Sequence, residues 1–80
     1  MPRYFFHVAD NDHPIIDDEG TELPDLQTAR KEAVCASAEM LRDGGAAKLW
    51  TGTPWRLWVT DHPGGAGKRL FTLQFSASNG

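Results

Sequence analysis

Only one segment of this chain has the spacing of an amphipathic helix, and this limits the fold more than any other feature. Apolar and small residues recur every three or four positions from Leu26 to Met40, and Gly44-Gly45 follows as a typical helix exit. Asp25, just before the segment, is a good N-cap residue. With one helix, the chain can cover only one face of the sheet that its other residues form.

The other patterned segments are strands. Aromatic and β-branched residues dominate Arg3 to Val8, Trp55 to Thr60 and Leu70 to Phe75, and a short apolar pair, Ile15-Ile16, lies between two acidic turns. The element order is therefore β-β-α-β-β. It predicts an α+β fold, a four-stranded antiparallel sheet with one helix packed on one face, in the strand order 4-3-1-2.

The length of 80 residues predicts a single domain over residues 1–80, with 76–80 as a frayed tail. So small a core gives a modest stability, which association with a second copy would supplement. The single cysteine, Cys35, permits no internal disulfide, and the apolar runs are too short to cross a membrane. We therefore expect a cytoplasmic protein. The connection 46–54 and the Gly-rich tip 61–67 have no pattern that assigns them a role.

Strand alternation divides the side chains between the two faces of the predicted sheet. The set expected beneath the helix is Tyr4, Phe6, Val8, Trp55, Leu57, Val59, Phe71, Leu73 and Phe75. The set expected on the uncovered face is Phe5, His7, Arg56, Trp58, Thr60, Thr72 and Gln74, and alternation along the last strand groups Leu70 with Thr72 and Gln74. The second set mixes aromatic rings with polar groups, and such rings need a cover.

Aromatic residues and arginine are enriched at the centres of protein interfaces. We therefore interpret the uncovered face as an interaction surface, most simply that of a homodimer, with six interface or ligand-binding candidates: Phe5, His7, Arg56, Trp58, Thr72 and Gln74. One alternative is a lid formed by the connection 46–54 with Leu49 and Trp50. Another is a small ligand or a single-stranded nucleic acid, stacked on the same rings.

The net charge and its distribution argue against the nucleic-acid-binding alternative. The net charge is −3; residues 1–43 hold ten acidic and four basic side chains, and residues 44–80 hold one acidic and four basic. The excess of positive charge in the second half is small and forms no basic stripe, which a nucleic-acid surface requires. Opposite charges on two halves of one domain are instead typical of segments that complement each other or a second copy.

No motif in the sequence predicts catalysis or a bound metal. Gly64 to Lys68 lacks the first glycine, the hydroxyl and the following helix of a phosphate-binding loop. The three histidines and Cys35 have no metal-ligand spacing, and Cys35 lies in mid-helix on the outward side, away from any activating group. We expect no catalytic residue, no metal site and no cofactor, and hence a non-catalytic interaction or regulatory module.

The opening Met1 to Val8 and the segment Asp17 to Leu26, which reads DDEGTELPDL, together with Ala29 to Ala33 and Val59-Thr60-Asp61, carry a resemblance over nearly the whole chain. They resemble a family of short uncharacterised proteins of rhizobia and related alphaproteobacteria, catalogued as a domain of unknown function. The resemblance implies a bacterial protein and transfers no catalytic residue. This chain departs from the family pattern in its longer Gly-rich hairpin tip.

Overall fold

Five strands form the antiparallel sheet in the computed structural model, which describes residues 1–10, 13–65 and 67–78. They are β1 (Arg3–Asp10), β2 (His13–Ile15), β3 (Thr21–Glu22), β4 (Trp55–Thr60) and β5 (Arg69–Phe75). The turn predicted at Asn11 and Asp12, and the end of the predicted tail at Asn79 and Gly80, lie outside the described residues.

The strand order confirms the predicted α+β topology. The sheet has the strand order β2-β1-β4-β5. The short strand β3 also pairs with β1, at residues 3 and 4, whereas β2 pairs with residues 8–10. β1 is central because it pairs with β4 along one side, Phe6 opposite Val59 and Val8 opposite Leu57, and with both short strands along the other. The two-residue strand β3 was not predicted, since so short a segment has no detectable period.

One long helix, α1 (Leu26–Met40), packs on one face of the sheet. The carboxylate of Asp25 caps it, accepting a hydrogen bond of 2.8 Å from the backbone N–H of Thr28. Its buried residues, Ala29, Ala33 and Ser37, are all small, so the helix axis lies close to the sheet. The larger core side chains therefore come mainly from the strands; those buried with the helix are Tyr4, Val8, Trp55, Leu57 and Val59.

The chain leaves α1 through a kink over Leu41–Gly45, in which Gly44 has a non-helical φ of 139°. Glycine suits this position because a side chain strains such a conformation. A second helix, α2 (Ala46–Trp50), then occupies part of the connection that had no assignment from the sequence. No helix in the described ranges is both long enough and apolar enough to span a membrane.

Candidate functional site

The outer face of the sheet, opposite α1, is covered in part by the protein's own chain. Phe5, His7, Trp58 and Thr60 have exposed fractions of only 5%, 0%, 7% and 2%. The expectation that Phe5, His7 and Trp58 lie on an uncovered face is therefore wrong. A homodimer across this face was expected because exposed rings would need a partner, and their burial removes that reason.

The alternative, a lid formed by the connection 46–54, does not provide this cover. Leu49 packs against the core on the side of α1, and Trp50 is 62% exposed. Phe5 and His7 are covered instead by residues 16–20, which we call the covering loop, whereas the Trp58 ring lies against Arg56, Arg69 and His7. This loop leaves the sheet edge after β2, crosses the outer face and returns to the edge at β3.

Asp17 holds the covering loop in place through both its side chain and its backbone. Its Oδ1 accepts hydrogen bonds from the backbone N–H groups of Glu19 at 3.0 Å and Gly20 at 3.1 Å, and its Oδ2 accepts one from Phe6 N–H at 3.1 Å. The Phe6 N–H points to the edge of β1 between the ladders with β2 and β3, so the carboxylate replaces a strand partner there. The backbone of Asp17 also accepts a bond from Gly64 N–H, which ties the hairpin tip to the loop.

Gly20 allows the loop to lie directly on an aromatic ring. Its φ is 74°, in the left-handed region, and a Cβ atom at this position would lie 2.7 Å from Cε2 of Phe5. Glycine is therefore required both by the backbone conformation and by the close approach. Phe5 is shielded from water by this backbone contact, and no bulky apolar side chain is needed.

His7 is the polar centre of the covered region. Its Nδ1 accepts a hydrogen bond of 3.0 Å from the backbone N–H of Asp17, so Nε2 carries the proton and donates to Oγ1 of Thr60 at 2.8 Å. The Thr60 hydroxyl in turn donates to the carbonyl of His62. In this arrangement the imidazole cannot take the hydroxyl proton, because the nitrogen nearest the hydroxyl is itself protonated. The chain of hydrogen bonds joins the loop to the sheet.

His7 and Asp17, which are hydrogen-bonded to each other, both have shifted pKa values. Burial lowers the pKa of His7, and this effect exceeds the opposing attraction of the Asp17 and Asp18 carboxylates; the nearby Arg69 also lowers it. Burial alone would raise the pKa of Asp17. The backbone hydrogen bonds from Gly20, Glu19 and Phe6 outweigh this effect, so the pKa of Asp17 is lowered. At neutral pH the imidazole is therefore neutral and the carboxylate charged, as the hydrogen bonds require.

We expect the free energy of unfolding to fall as the solution is acidified below about pH 6.5. The unfolded chain protonates His7 near its ordinary pKa of 6.5, whereas the folded protein, with a lowered pKa, does not. The slope that this one proton adds is at most about 1.4 kcal/mol per pH unit. Asp17 adds a second loss below its ordinary pKa of 3.8. Urea unfolding from pH 8 to pH 5 measures the effect, and a His7→Gln variant should lose the part of the slope due to His7.

The remaining part of the outer face is open and cationic. The guanidinium carbons of Arg56 and Arg69 lie over the Trp58 ring, 5.3 and 5.4 Å from its centroid, while the His7 ring contacts the same ring at 5.4 Å. Both arginines are exposed. We call the surface formed by Arg56, Trp58, Arg69, Thr72 and Gln74 the cation–aromatic strip. Thr72 lies opposite Trp58 and Gln74 opposite Arg56 across the β4–β5 ladder, and both are exposed.

Arg69 could not be predicted from strand alternation, because a β-bulge changes the face on which it lies. Thr60 pairs with Arg69 and the preceding Val59 with Phe71, so Leu70 is an extra residue on β5. Strict alternation placed Leu70 on the outer face. The structure corrects this: Leu70 packs against the core, and Arg69 turns towards Trp58. The sequence contains no signal that fixes the position of this bulge.

The described residues form no recognisable metal-binding site. Among them there is no group of three or more histidine, cysteine, aspartate or glutamate side chains that could hold one. Cys35 is a free, exposed thiol on α1. Of the six predicted candidates, the structure brings His7, Arg56 and Thr72 to the ring of a fourth, Trp58, with Gln74 beside them and Phe5 beneath the covering loop.

Comparison with known proteins gives a family and no activity. Residues 3–76 match the family described as Domain of unknown function (DUF6894), and the chain belongs to this family. The sequence-based prediction of a family of unknown function is thereby confirmed. Neither a curated protein nor a solved structure matches the chain.

Proposed function

We propose that this member of a family of unknown function is a non-catalytic interaction module, and that its cation–aromatic strip binds the carboxylates of an acidic protein segment. The observation that carries the proposal is the pair of exposed guanidinium groups over Trp58. Within the described ranges, neither Arg56 nor Arg69 has an ion pair, whereas Arg3, Arg42 and Lys48 each have one.

The position of the two arginines on Trp58 favours carboxylate binding. Cation–π contact restricts each guanidinium, so less side-chain entropy is lost when it binds a partner. The planar guanidinium leaves N–H donors that match both oxygens of a carboxylate. Thr72 and Gln74, beside the arginines, add neutral hydrogen-bonding groups. Stacking of a nucleobase is disfavoured because Trp58 and Phe5 are 7% and 5% exposed and offer no free ring face.

A non-catalytic role is supported by the direction of the hydrogen bonds around His7, which leave Thr60 without a proton acceptor on the imidazole. The proposal places the protein in the cytoplasm of a bacterium. Its single, free and exposed thiol, Cys35, suits a reducing compartment, and the resemblance of its opening segment supports the bacterial origin.

A small anionic ligand is the second candidate. A cavity of about 330 Å³ adjoins the strip, at the end away from the hairpin tip. Its lining includes Arg56, Gln74 and Trp55, together with Ala9, Pro54, Phe75 and Ser76. One guanidinium, one amide and apolar walls suit a small carboxylate, in keeping with the mixture of apolar and polar groups in known ligand sites.

The test is binding of a fluorescently labelled oligoglutamate peptide, measured by anisotropy at low salt. We expect Arg56→Gln and Arg69→Gln each to raise the Kd about tenfold or more, since a charge-assisted hydrogen bond contributes about 1.5–3 kcal/mol. The matched control is Arg30→Gln, which removes the same charge from the exposed surface of α1 and should leave the Kd nearly unchanged.

Three results would contradict the proposal. If Arg30→Gln weakens binding as much as the strip variants, the peptide responds to net charge alone. If labelled oligothymidine binds more tightly than oligoglutamate, the partner is a nucleic acid. If citrate binds and oligoglutamate does not, the cavity beside Arg56 takes a small ligand, and the second candidate replaces the first.

A further inference from the structure

The two edges of the sheet differ in how well they are protected against pairing with another strand. At one edge, β2 and β3 have three and two residues, Pro14 lies within β2, and the covering loop interrupts the edge between them. Short strands, proline and interruptions are the features by which proteins block edge pairing. Charged residues of the loop and of β3 add to this protection.

The other edge has no such protection. β5 has seven residues, pairs with β4 alone among the described strands, and contains neither proline nor a charged residue after Arg69. Alternate backbone N–H and C=O groups therefore point outward from this edge. On the side of α1, Phe71, Leu73 and Phe75 remain only half-buried. A long, regular and partly apolar edge of this kind is a template for a further strand.

We infer that β5 pairs antiparallel with β5 of a second copy, forming a homodimer in which the sheets are continuous. Side chains that face each other across a ladder must lie on the same side of the sheet. The two-fold axis must therefore be placed so that one residue of β5 pairs with the same residue of the second copy. An axis at Thr72 centres the ladder on the regular part of β5, beyond the bulge at Leu70. It places Phe71 against Leu73 of the second copy, which covers the half-buried apolar side chains.

The distribution of charge favours a second copy as the partner. With the axis at Thr72, the bulge at Leu70 brings Arg69 opposite Gln74 of the other copy, so the two Arg69 side chains are about 13 Å apart along the strands, beyond the Debye length of about 8–10 Å. β5 itself carries no carboxylate. The protein is acidic overall, yet this edge brings no carboxylates together.

The pairing also has a consequence for recognition. The axis is perpendicular to the sheet, so the cation–aromatic strips of both copies lie on the same face of the continuous sheet, on either side of Thr72. A dimer would therefore present two pairs of guanidinium groups side by side, and an acidic segment could span both. The inference of the dimer itself does not depend on what the strip binds.

The first test compares Thr72→Lys with the matched control Gln74→Lys in sedimentation over a range of concentrations. Both residues are exposed on the same face of the same strand. The ammonium-bearing side chains introduced at position 72 would face each other directly across the axis, with Cβ atoms about 5 Å apart, whereas those at position 74 would be about 13 Å apart. We expect the Thr72→Lys dimer Kd to rise about tenfold or more and the control to change much less. A wild-type monomer at every concentration would overturn the inference.

Cysteine crosslinking gives a second test that does not depend on the stability of the charged variants. In a Cys35→Ser background, Thr72→Cys should form a covalent dimer on mild oxidation, because its Cβ atoms come within reach of a disulfide. Gln74→Cys in the same background should not. Equal crosslinking of the two variants, or none at position 72, would show that β5 does not pair in this way.

Discussion

Replacement of Asp17 by asparagine should lower the free energy of unfolding by about 2–4 kcal/mol, because three backbone donors depend on its charged carboxylate. Asparagine keeps the size but retains one oxygen, so either Phe6 N–H or the pair from Glu19 and Gly20 must face an NH₂ group. A buried donor without an acceptor carries its full desolvation cost. Urea denaturation measures the loss, and hydrogen exchange should show that the Phe6 amide loses protection.

The adjacent Asp18 provides the matched control. It is exposed, and its carboxylate accepts no hydrogen bond from the described residues. Asp18→Asn removes the same charge from the same loop, yet we expect a change within about 0.5 kcal/mol. If the two variants lose equal stability, the effect is due to net charge, and the assignment of Asp17 as the residue that holds the covering loop is wrong.

The parts of the fold that could be predicted from the sequence depend on patterns within short segments, such as helix caps and the alternation of side chains along a strand. The helix begins after Asp25 because its cap needs only the next three residues, and the faces of β1 and β4 follow from alternation. The strand order followed from the requirement that all neighbours be antiparallel. Each of these features is determined by residues close together in the sequence or by a general rule of topology.

The cover of the outer face could not be predicted in this way. Sequence patterns identify helices as covers, and the residues Asp17, Asp18, Glu19 and Gly20 have only the composition of an acidic turn. Asp17 instead binds Phe6 and His7, which are ten or eleven positions away, and no local pattern reports contacts of that range. Arg69 was missed for a similar reason, since the bulge depends on the register with β4.

The covering loop can pack directly on the Phe5 ring because Gly20 has no side chain. Replacement of Gly20 by alanine tests this contact. We expect a loss of about 2–4 kcal/mol in the free energy of unfolding, because alanine at a φ of 74° is strained and its Cβ would lie 2.7 Å from the Phe5 ring. Gly52→Ala is the matched control: its φ is also positive, at 92°, but no atom lies within 4 Å of the added Cβ.

The control should lose only about 1 kcal/mol, the cost of the backbone conformation alone. The difference between the two variants therefore measures the close approach of Gly20 to the Phe5 ring and to Cγ of Arg3, which would lie 2.8 Å from the added Cβ. Shortening the ring residue in a Phe5→Leu, Gly20→Ala double mutant should recover part of that difference, with a coupling of about 1 kcal/mol or more in urea denaturation. Additive losses would mean that the covering loop does not rest on Phe5, and the outer face would again require a partner to cover its aromatic rings.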